Sequence, residues 1–464
     1  MAQRTHGSSY DCVVIGSGPG GYVAAVRAAQ LGLRTAIVEK DAIGGRCLNY
    51  ACIPAKAVLR SADVLADVRG AAQFGVVVGQ PTVDFAAVVA RRQKVVKTLT
   101  GGVAGLMKKN AIDVIDGHGS VTDDGNVRIG GNFDGSEIQA GVVILATGSV
   151  KRPIPGTRFA GRVIGTEEAW GLTELPRRMA VVGAGASGSE IASAYARLGT
   201  DVLLFEMLDR VLPTEDAEIS KLAGRGLAKQ GMKIHTGTPV ENVDGAADSV
   251  RFSHGGETAE VDYLVIAAGR APDVDGLGLA EAGIALDARG MIKVDSAMRT
   301  SLAGVFAIGD LVPGPALAHK ASDEGIIAAE AAAGLETHPL VHVDIPRATF
   351  CTPNVASFGL TEAQAVDAGH DVVVGRIQYG AVGAGTVYGD RTGLVKIVGD
   401  RRYGELLGGH IVGAKAPELI QELVNVRALE GGFAEVARIV HGHPTLSEAV
   451  MEAARDADGW LIHG

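Results

Sequence analysis

The chain has 464 residues, 65 of them glycine, with 47% hydrophobic residues, 4% aromatics and a formal net charge of −10. That length suits about two to four domains, and that composition suits a large α/β enzyme rich in tight turns. The negative charge argues against nucleic acid as the main partner. With no apolar leader in the opening residues and no apolar run of spanning length, a cytoplasmic protein with a short leading tail and no membrane contact is expected.

The first predicted element is an apolar strand, Asp11 to Ile15, that runs into Gly16-Ser17-Gly18-Pro19-Gly20-Gly21. An alanine-rich helix is expected from Tyr22 to about Leu31, and a second apolar run ends at Glu39. This is a dinucleotide-binding pattern. Gly16 makes the turn, Gly18 lets phosphate approach the backbone, and Gly21 lets helix and strand pack closely. The helix N-terminus favours an anion, and Glu39 sits where a carboxylate accepts hydrogen bonds from an adenosine ribose.

Next comes Gly44-Gly45-Arg46-Cys47-Leu48-Asn49-Tyr50-Ala51-Cys52-Ile53-Pro54-Ala55-Lys56. The chain has only four cysteines, Cys12, Cys47, Cys52 and Cys351, so it is not a secreted disulfide scaffold. No second cysteine pair and no nearby histidine offer a four-ligand metal site, so no metal is expected. A bridge across so short a loop would add only about 2 kcal/mol. Residues five apart on a regular helix have Cα atoms roughly 8 Å apart, while a disulfide needs less than about 7 Å. The segment must therefore distort to close the bond, and Gly44, Gly45 and Pro54 suit an irregular helix start. A thiol pair beside a dinucleotide site points to electron transfer between sulfur and a cofactor.

A long helical insertion is expected over roughly 55–110, amphipathic from Val95 to Met107. A buried strand then ends in Ala146-Thr147-Gly148. The glycine pattern repeats as Gly183-Ala184-Gly185-Ala186-Ser187-Gly188, with a helix to about Leu198 and a strand ending at Glu206. Its return strand ends at Gly269. A carboxylate at Glu206 favours a free 2′-hydroxyl, and Met207 and Leu208 offer no basic clamp, so NAD is expected over NADP. The strand Gly304 to Asp310 ends in an acid suited to a cofactor hydroxyl.

From about Val341 the pattern changes to a separate α+β domain, with strands at Leu394–Val398 and Leu406–Val412 and a helix from Ala416 to Leu429. It ends His441-Gly442-His443-Pro444-Thr445-Leu446-Ser447-Glu448 and a further helix. Thiol–disulfide exchange needs a thiolate, and a free thiol has a pKa near ~8.5. His443 suits a base and Glu448 a group that holds its tautomer. Thr445-x-x-Glu448 reads equally as a helix capping box, and His443 equally as a turn histidine before Pro444. The expected divisions are 1–150, 151–272, 273–340 and 341–464.

The ordered set of motifs resembles the flavin-dependent pyridine nucleotide–disulfide oxidoreductases over nearly the whole chain. Leu317-Ala318-His319-Lys320-Ala321 and His443-Pro444-Thr445-Leu446-Ser447-Glu448 are most similar to the branch that oxidises dihydrolipoamide. The resemblance implies two Rossmann-like domains, the first for FAD and the second for NAD, and a C-terminal dimerisation domain that builds a homodimer. The central segment, 273–340, completes the FAD site. Gly45, Lys56, Thr147, Gly148, Asp310, Ala318 and His319 are expected to join the FAD site, and Gly269 the NAD site. Cys47 would be the interchange thiol, and Cys52 the thiol against the flavin. His443 and Glu448 would act across the dimer, and Lys56 and Glu190 would pair near the flavin. The implied partners are lipoyl-bearing carrier domains of a 2-oxo acid dehydrogenase or glycine-cleavage complex. His441 is given no role.

Some positions depart from the family pattern. Arg46 replaces threonine, Tyr50-Ala51 replaces Val-Gly, Ala55 replaces serine, and Ala186 replaces a bulkier residue. The competing readings are a reductase of glutathione or another low-molecular-weight disulfide, and a flavin-linked quinone reductase that would not need the cysteines. A redox-silent scaffold has no use for the thiols and the base.

Overall fold

The computed structural model describes residues 9–130 and 135–464, so the expected leading tail lies outside the described residues up to Ser8. The chain folds as two compact units. One runs to Ala57 and includes Ala90–Arg152 and Gly269–His342. The other takes Val58–Val89, Pro153–Ala268 and Val343–Gly464.

The first unit is built on parallel strands in the order Asp113–Asp116, Thr35–Glu39, Ser9–Ile15, Ser136–Leu145 and Val305–Ala307. Val13, Val14, Ile37, Ile144 and Leu145 are fully buried, as expected of a sheet covered on both faces. Ser136–Leu145 also pairs antiparallel with Val127–Gly130, which pairs with His118–Val121. The strand Val305–Ala307 comes from the 273–340 segment, so that segment completes the first sheet. The helices Pro19–Gln30 and Ala318–Ala332 touch through glycine. A Cβ on Gly20 would lie 2.8 Å from the Ala321 carbonyl, and one on Gly325 would lie 2.5 Å from the Gly20 carbonyl. Arg27 bonds Glu330 across the same pair, with Nε at 3.0 Å.

The second unit repeats the pattern. Its parallel strands run Lys233–His235, Asp201–Phe205, Arg178–Val182, Tyr263–Ile266 and Val163–Gly165, with an antiparallel meander at Val240–Gly245, Val250–His254 and Glu257–Val261. The two glycine turns share their local geometry. Gly16 and Gly183 have φ of 100° and 99°. A Cβ on Gly21 would fall 1.9 Å from the Gly16 carbonyl oxygen, and one on Gly188 would fall 1.8 Å from that of Gly183. Glycine is required at these positions because the helix starts hard against the strand end.

The same unit holds a second, five-stranded antiparallel sheet, ordered Arg347–Thr349, Val355–Gly359, Glu405–Val412, Leu394–Asp400, Val372–Gln378. The helix Glu448–Ala457 lies so close to it that a Cβ on Gly375 would sit 1.8 Å from the Ala453 carbonyl. The compact units therefore do not follow the expected divisions. The 151–272 and 341–464 segments share an apolar cluster of Leu212, Ile219 and Ala223 with Val355, Leu394 and Val412. Lys396, 3% exposed, also bridges both Asp216 oxygens at 2.9 Å. Residues 58–89 join this unit through Asp63, which pairs with Arg197, and through Arg69, which donates to the Arg197 carbonyl at 2.7 Å. Among the described residues no helix is long and apolar enough to cross a membrane.

The glycine geometry predicts a split outcome in the NAD-free protein. Gly188→Ala costs about 3 kcal/mol, because its methyl meets backbone. Gly185→Ala meets nothing within 4 Å and costs under about 1 kcal/mol as a weaker helix cap. Urea unfolding of the two variants checks this, and equal losses contradict it.

Candidate active site

The glycine turn of the first unit opens on a cavity. Its walls include Gly16, Gly18, Glu39, Gly45, Thr147, Gly148, Asp310 and Ala318, together with both thiols, Cys47 and Cys52. Gly18 has open space where a Cβ would stand, so the backbone at the helix N-terminus is free for close approach by phosphate. Gly21 is buried and serves packing only. His319 is exposed and Lys56 lies in the first turns of the Cys52–Gly70 helix; neither is in the cavity wall. Glu39 holds the turn from outside: its Oε2 accepts the Ser17 N–H and its Oε1 the Asp41 N–H, both at 2.9 Å. Thr147 donates to the Asp273 carbonyl at 2.6 Å, and Asp310 accepts from the Ser149 hydroxyl.

The thiol segment is irregular, as its spacing demands. Cys47 lies in a one-turn helix, Gly45–Asn49, and Cys52 starts the helix Cys52–Gly70. Gly44 and Gly45 have φ of 93° and 58°, and Pro54 occupies the first turn of the second helix, where its missing N–H costs nothing. The Asn49 amide donates to the Gly45 carbonyl at 2.9 Å and the Ile43 carbonyl at 3.1 Å, and the Tyr50 hydroxyl donates to Asp41 at 2.8 Å. Tyr50 thus fastens the turn that starts at Asp41 to the thiol loop. Both cysteines are thiols here. The hydrogen bond with Cys52 and then burial push the Cys47 thiol well up, and Lys56 and Arg46 pull it only part of the way back. A thiol so raised stays protonated at neutral pH and calls for a base.

In the second unit Glu206 mirrors Glu39. It is buried, and its oxygens accept the Ala184 N–H at 2.7 Å and the Leu208 N–H at 3.0 Å. Gly183 and Gly185 line the turn below it, and Gly185 is open where a side chain would stand. Glu190, in the following helix, is buried with Oε1 accepting the Phe350 N–H at 2.9 Å. Gly269, with φ of 136°, belongs to the first unit, where its carbonyl accepts the Arg152 N–H at 3.3 Å.

The histidine and glutamate of the C-terminal motif meet. His443 Nδ1 is 2.9 Å from Glu448 Oε1, and the other glutamate oxygen accepts the Thr445 N–H at 2.9 Å. One carboxylate therefore serves both expected roles, tautomer holder and half of a capping box. Burial works against the Glu448 charge, but the Thr445 N–H and His443 outweigh it and hold the carboxyl below its ordinary range. His443 itself is 75% exposed.

The model of the pyridine nucleotide-disulphide oxidoreductases matches residues 10–325, and that of their dimerisation domain matches 345–454. The chain belongs to this family. It is 44% identical to a dihydrolipoyl dehydrogenase of Mycobacterium tuberculosis and 41% identical to one of Rhizobium etli, each alignment covering 98% of this chain and 99% of the relative. Among solved structures it is similar to LpdA from Mycobacterium tuberculosis (TM-score 0.89, 27% identity, 96% of this chain and 99% of that one). It is also similar to the HOCl-induced flavoprotein disulfide reductase RclA from Escherichia coli (TM-score 0.83, 28% identity, 95% and 98%).

As a pyridine nucleotide-disulphide oxidoreductase the chain is an enzyme that uses FAD and NAD. The cavity fits FAD, since the open Gly18 backbone, the helix N-terminus and Asp310 face it together with the thiols. Ser17, Lys40, Asp41, Arg46, His118 and Asp273 also line it. Lys40 and Asp273 form an ion pair at 2.9 Å, a contact between distant segments that leaves no local signal.

His441 gains a role that its sequence did not suggest. Its Nδ1 faces the Ile439 carbonyl at 2.8 Å and its Nε2 faces Glu422, so both ring nitrogens meet acceptors, an arrangement that favours the imidazolium. The Glu422 bond raises its pKa, against a smaller opposing effect of burial. A raised folded pKa stabilises below the unfolded value of ~6.5 and loses that stabilisation as pH rises through the folded one. The stability gap between the parent and His441→Gln should therefore be widest at about pH 6 and narrow by about pH 9, as read by urea midpoints. A gap that does not change with pH contradicts this.

Proposed function

We propose that this chain oxidises protein-bound dihydrolipoamide to lipoamide, with Cys47 and Cys52 as its redox pair and NAD as the final acceptor. The observation that carries this reading is the single cavity shared by the glycine turn, Asp310 and both thiols. The full-length likeness to dihydrolipoyl dehydrogenases supports it.

In the oxidised enzyme Cys47 and Cys52 form a disulfide. Glu448 accepts the Nδ1–H of His443, which leaves Nε2 with a free lone pair as the base. His443 takes a proton from one thiol of dihydrolipoamide, and the resulting thiolate attacks Cys47 Sγ. The Cys47–Cys52 bond breaks, Cys52 leaves as thiolate, and a mixed disulfide joins substrate to Cys47. The second substrate thiol attacks the substrate sulfur bonded to Cys47, its proton passes to the departing Cys47 sulfur, and the lipoamide ring closes with Cys47 left as thiol and Cys52 as thiolate. FAD held in the cavity of Gly16, Gly18, Glu39 and Asp310 would supply a two-electron carrier between the reduced cysteines and NAD. Lys56 and His319 are proposed to contact FAD. The four segments 1–150, 151–272, 273–340 and 341–464 divide the work as FAD site, NAD site, completion of the FAD site and subunit contact.

The dimerisation domain supports a homodimer. We assign His443 and Glu448 to the partner's thiols, because His443 is open on its own chain and neighbours Val440, which is 94% exposed. Lipoyl-bearing carrier domains in the cytoplasm are the proposed substrates. A second reading, a reductase of small anionic disulfides, draws on Arg46, a cation beside Cys47 on the same cavity wall.

Steady-state assay with NAD and a panel of dithiols tests this reading. Dihydrolipoamide should be the preferred donor, and preference for a glutathione-type thiol favours the second reading. Cys47→Ser should abolish turnover while FAD stays bound, and retained turnover excludes the proposed attack. His443→Gln should slow the dithiol half-reaction by about 10²-fold; an unchanged rate returns His443 to a structural role. Glu206→Arg should lower the NAD-to-NADP ratio of kcat/KM by at least about 10-fold, and an unmoved ratio contradicts the role given to Glu206.

A further inference from the structure

A buried ion pair lies beneath the acid expected to reach the cofactor. Lys320 and Glu324, one turn apart on the Ala318–Ala332 helix, are 1% and 0% exposed and 3.0 Å apart. Such a pair gains little net stability, because burial strips water from both charges. The two side chains grip the backbone on either side of the Gly309 Cα. Lys320 Nζ donates to the Gly309 carbonyl at 2.9 Å, and Glu324 Oε2 accepts the Gly309 N–H at 2.8 Å. Gly309 has φ of 72° and carries Asp310 as its next residue. The Asp310 carboxylate faces the cavity and is fixed from the other side by Ser149, whose oxygen in turn accepts Arg270 Nε at 2.7 Å. His342 Nε2 lies 3.7 Å from Glu324, and burial and then Lys320 hold its pKa below the ordinary value.

We infer that Lys320 and Glu324 are positioning residues that clamp the two peptides flanking the Gly309 Cα and so aim Asp310 at the flavin cofactor's polyol chain. The clamp works because neither peptide is free to turn: the N–H of Ile308–Gly309 and the carbonyl of Gly309–Asp310 are both taken by charged partners, and charge-assisted bonds in a dry site are stiff. The helix that carries the pair is itself seated on the phosphate-binding helix through Gly20 and Gly325, so cofactor turn and acid are set by one rigid contact. In sequence the two residues resemble an ordinary surface pair at i and i+4. Their burial and their shared residue, Gly309, set them apart.

The inference rests on FAD occupying this cavity, which a yellow parent holoenzyme establishes before any variant is made. The test is the rate of FAD release from holoenzyme. Lys320→Met/Glu324→Leu removes both bonds to Gly309 and should release FAD about 10-fold faster or more. Lys320→Gln/Glu324→Gln rebuilds a neutral donor and acceptor and should stay within about 3-fold of the parent. In an Asp310→Asn background the Met/Leu change should add less than about 2-fold, because the clamp acts through Asp310. Unchanged release in the Met/Leu protein overturns the inference. So does the same acceleration with and without Asp310, the mark of a general packing role. If the Met/Leu protein does not accumulate as holoenzyme, the Gln/Gln protein decides alone, and release at least about 10-fold faster from it overturns the clamp.

Discussion

Gly45 lies with its backbone against Gly18. A Cβ on Gly45 would fall 2.6 Å from the Gly18 Cα and 2.8 Å from its nitrogen. No side chain fits between the phosphate turn and the start of the thiol helix, so the two segments share one wall. Cys47 is two residues beyond this contact, and its sulfur therefore faces the cavity that the glycine turn serves. The thiol loop and the glycine turn come to line one cavity through a missing methyl group. The distortion between Cys47 and Cys52, the Asn49 bonds to the Ile43 and Gly45 carbonyls and the Tyr50–Asp41 bond keep the thiols in register with that wall.

The second glycine turn reuses the same backbone device without the thiols. In both copies the strand-end carboxylate accepts the N–H of the residue between the first two glycines, Glu39 from Ser17 and Glu206 from Ala184. The acid thus stiffens the glycine turn. The repeat gives two turns of one geometry, and the added segments set them apart. In the first copy these are the thiol loop and the Gly309–Asp310 strand end. In the second they are the contacts of Asp216 and Leu212 with the C-terminal sheet.

Features that depend on one residue's own backbone were legible in the sequence. Glycines that need a positive φ or the absence of a Cβ announce themselves, as do buried parallel strands such as Val13–Ile15 and Val143–Leu145. The meeting of Cys47 and Cys52 on one cavity wall and of His443 with Glu448 was foreshadowed by short local spacings. Groups whose roles arise from contacts between distant segments were not. Lys320 and Glu324 look like a solvent-facing pair until the fold buries them, and the Lys40–Asp273 bridge joins segments far apart in the chain. The meander over 240–261 did leave a trace, the alternating burial of Val250, Phe252 and His254, that a search for period-two strands would have found. The grouping of 58–89 with the second unit has no sequence signal, because it depends on Asp63 and Arg69 meeting Arg197.

The central claim is that the thiols and the flavin share one wall. Its most direct measurement is the absorbance of anaerobic holoenzyme treated with one equivalent of dihydrolipoamide. A thiolate at Cys52 against the flavin predicts a new long-wavelength charge-transfer band in the parent, and its loss in Cys52→Ala with FAD still bound. Reduction without that band in the parent, or a band that survives in Cys52→Ala, contradicts the account.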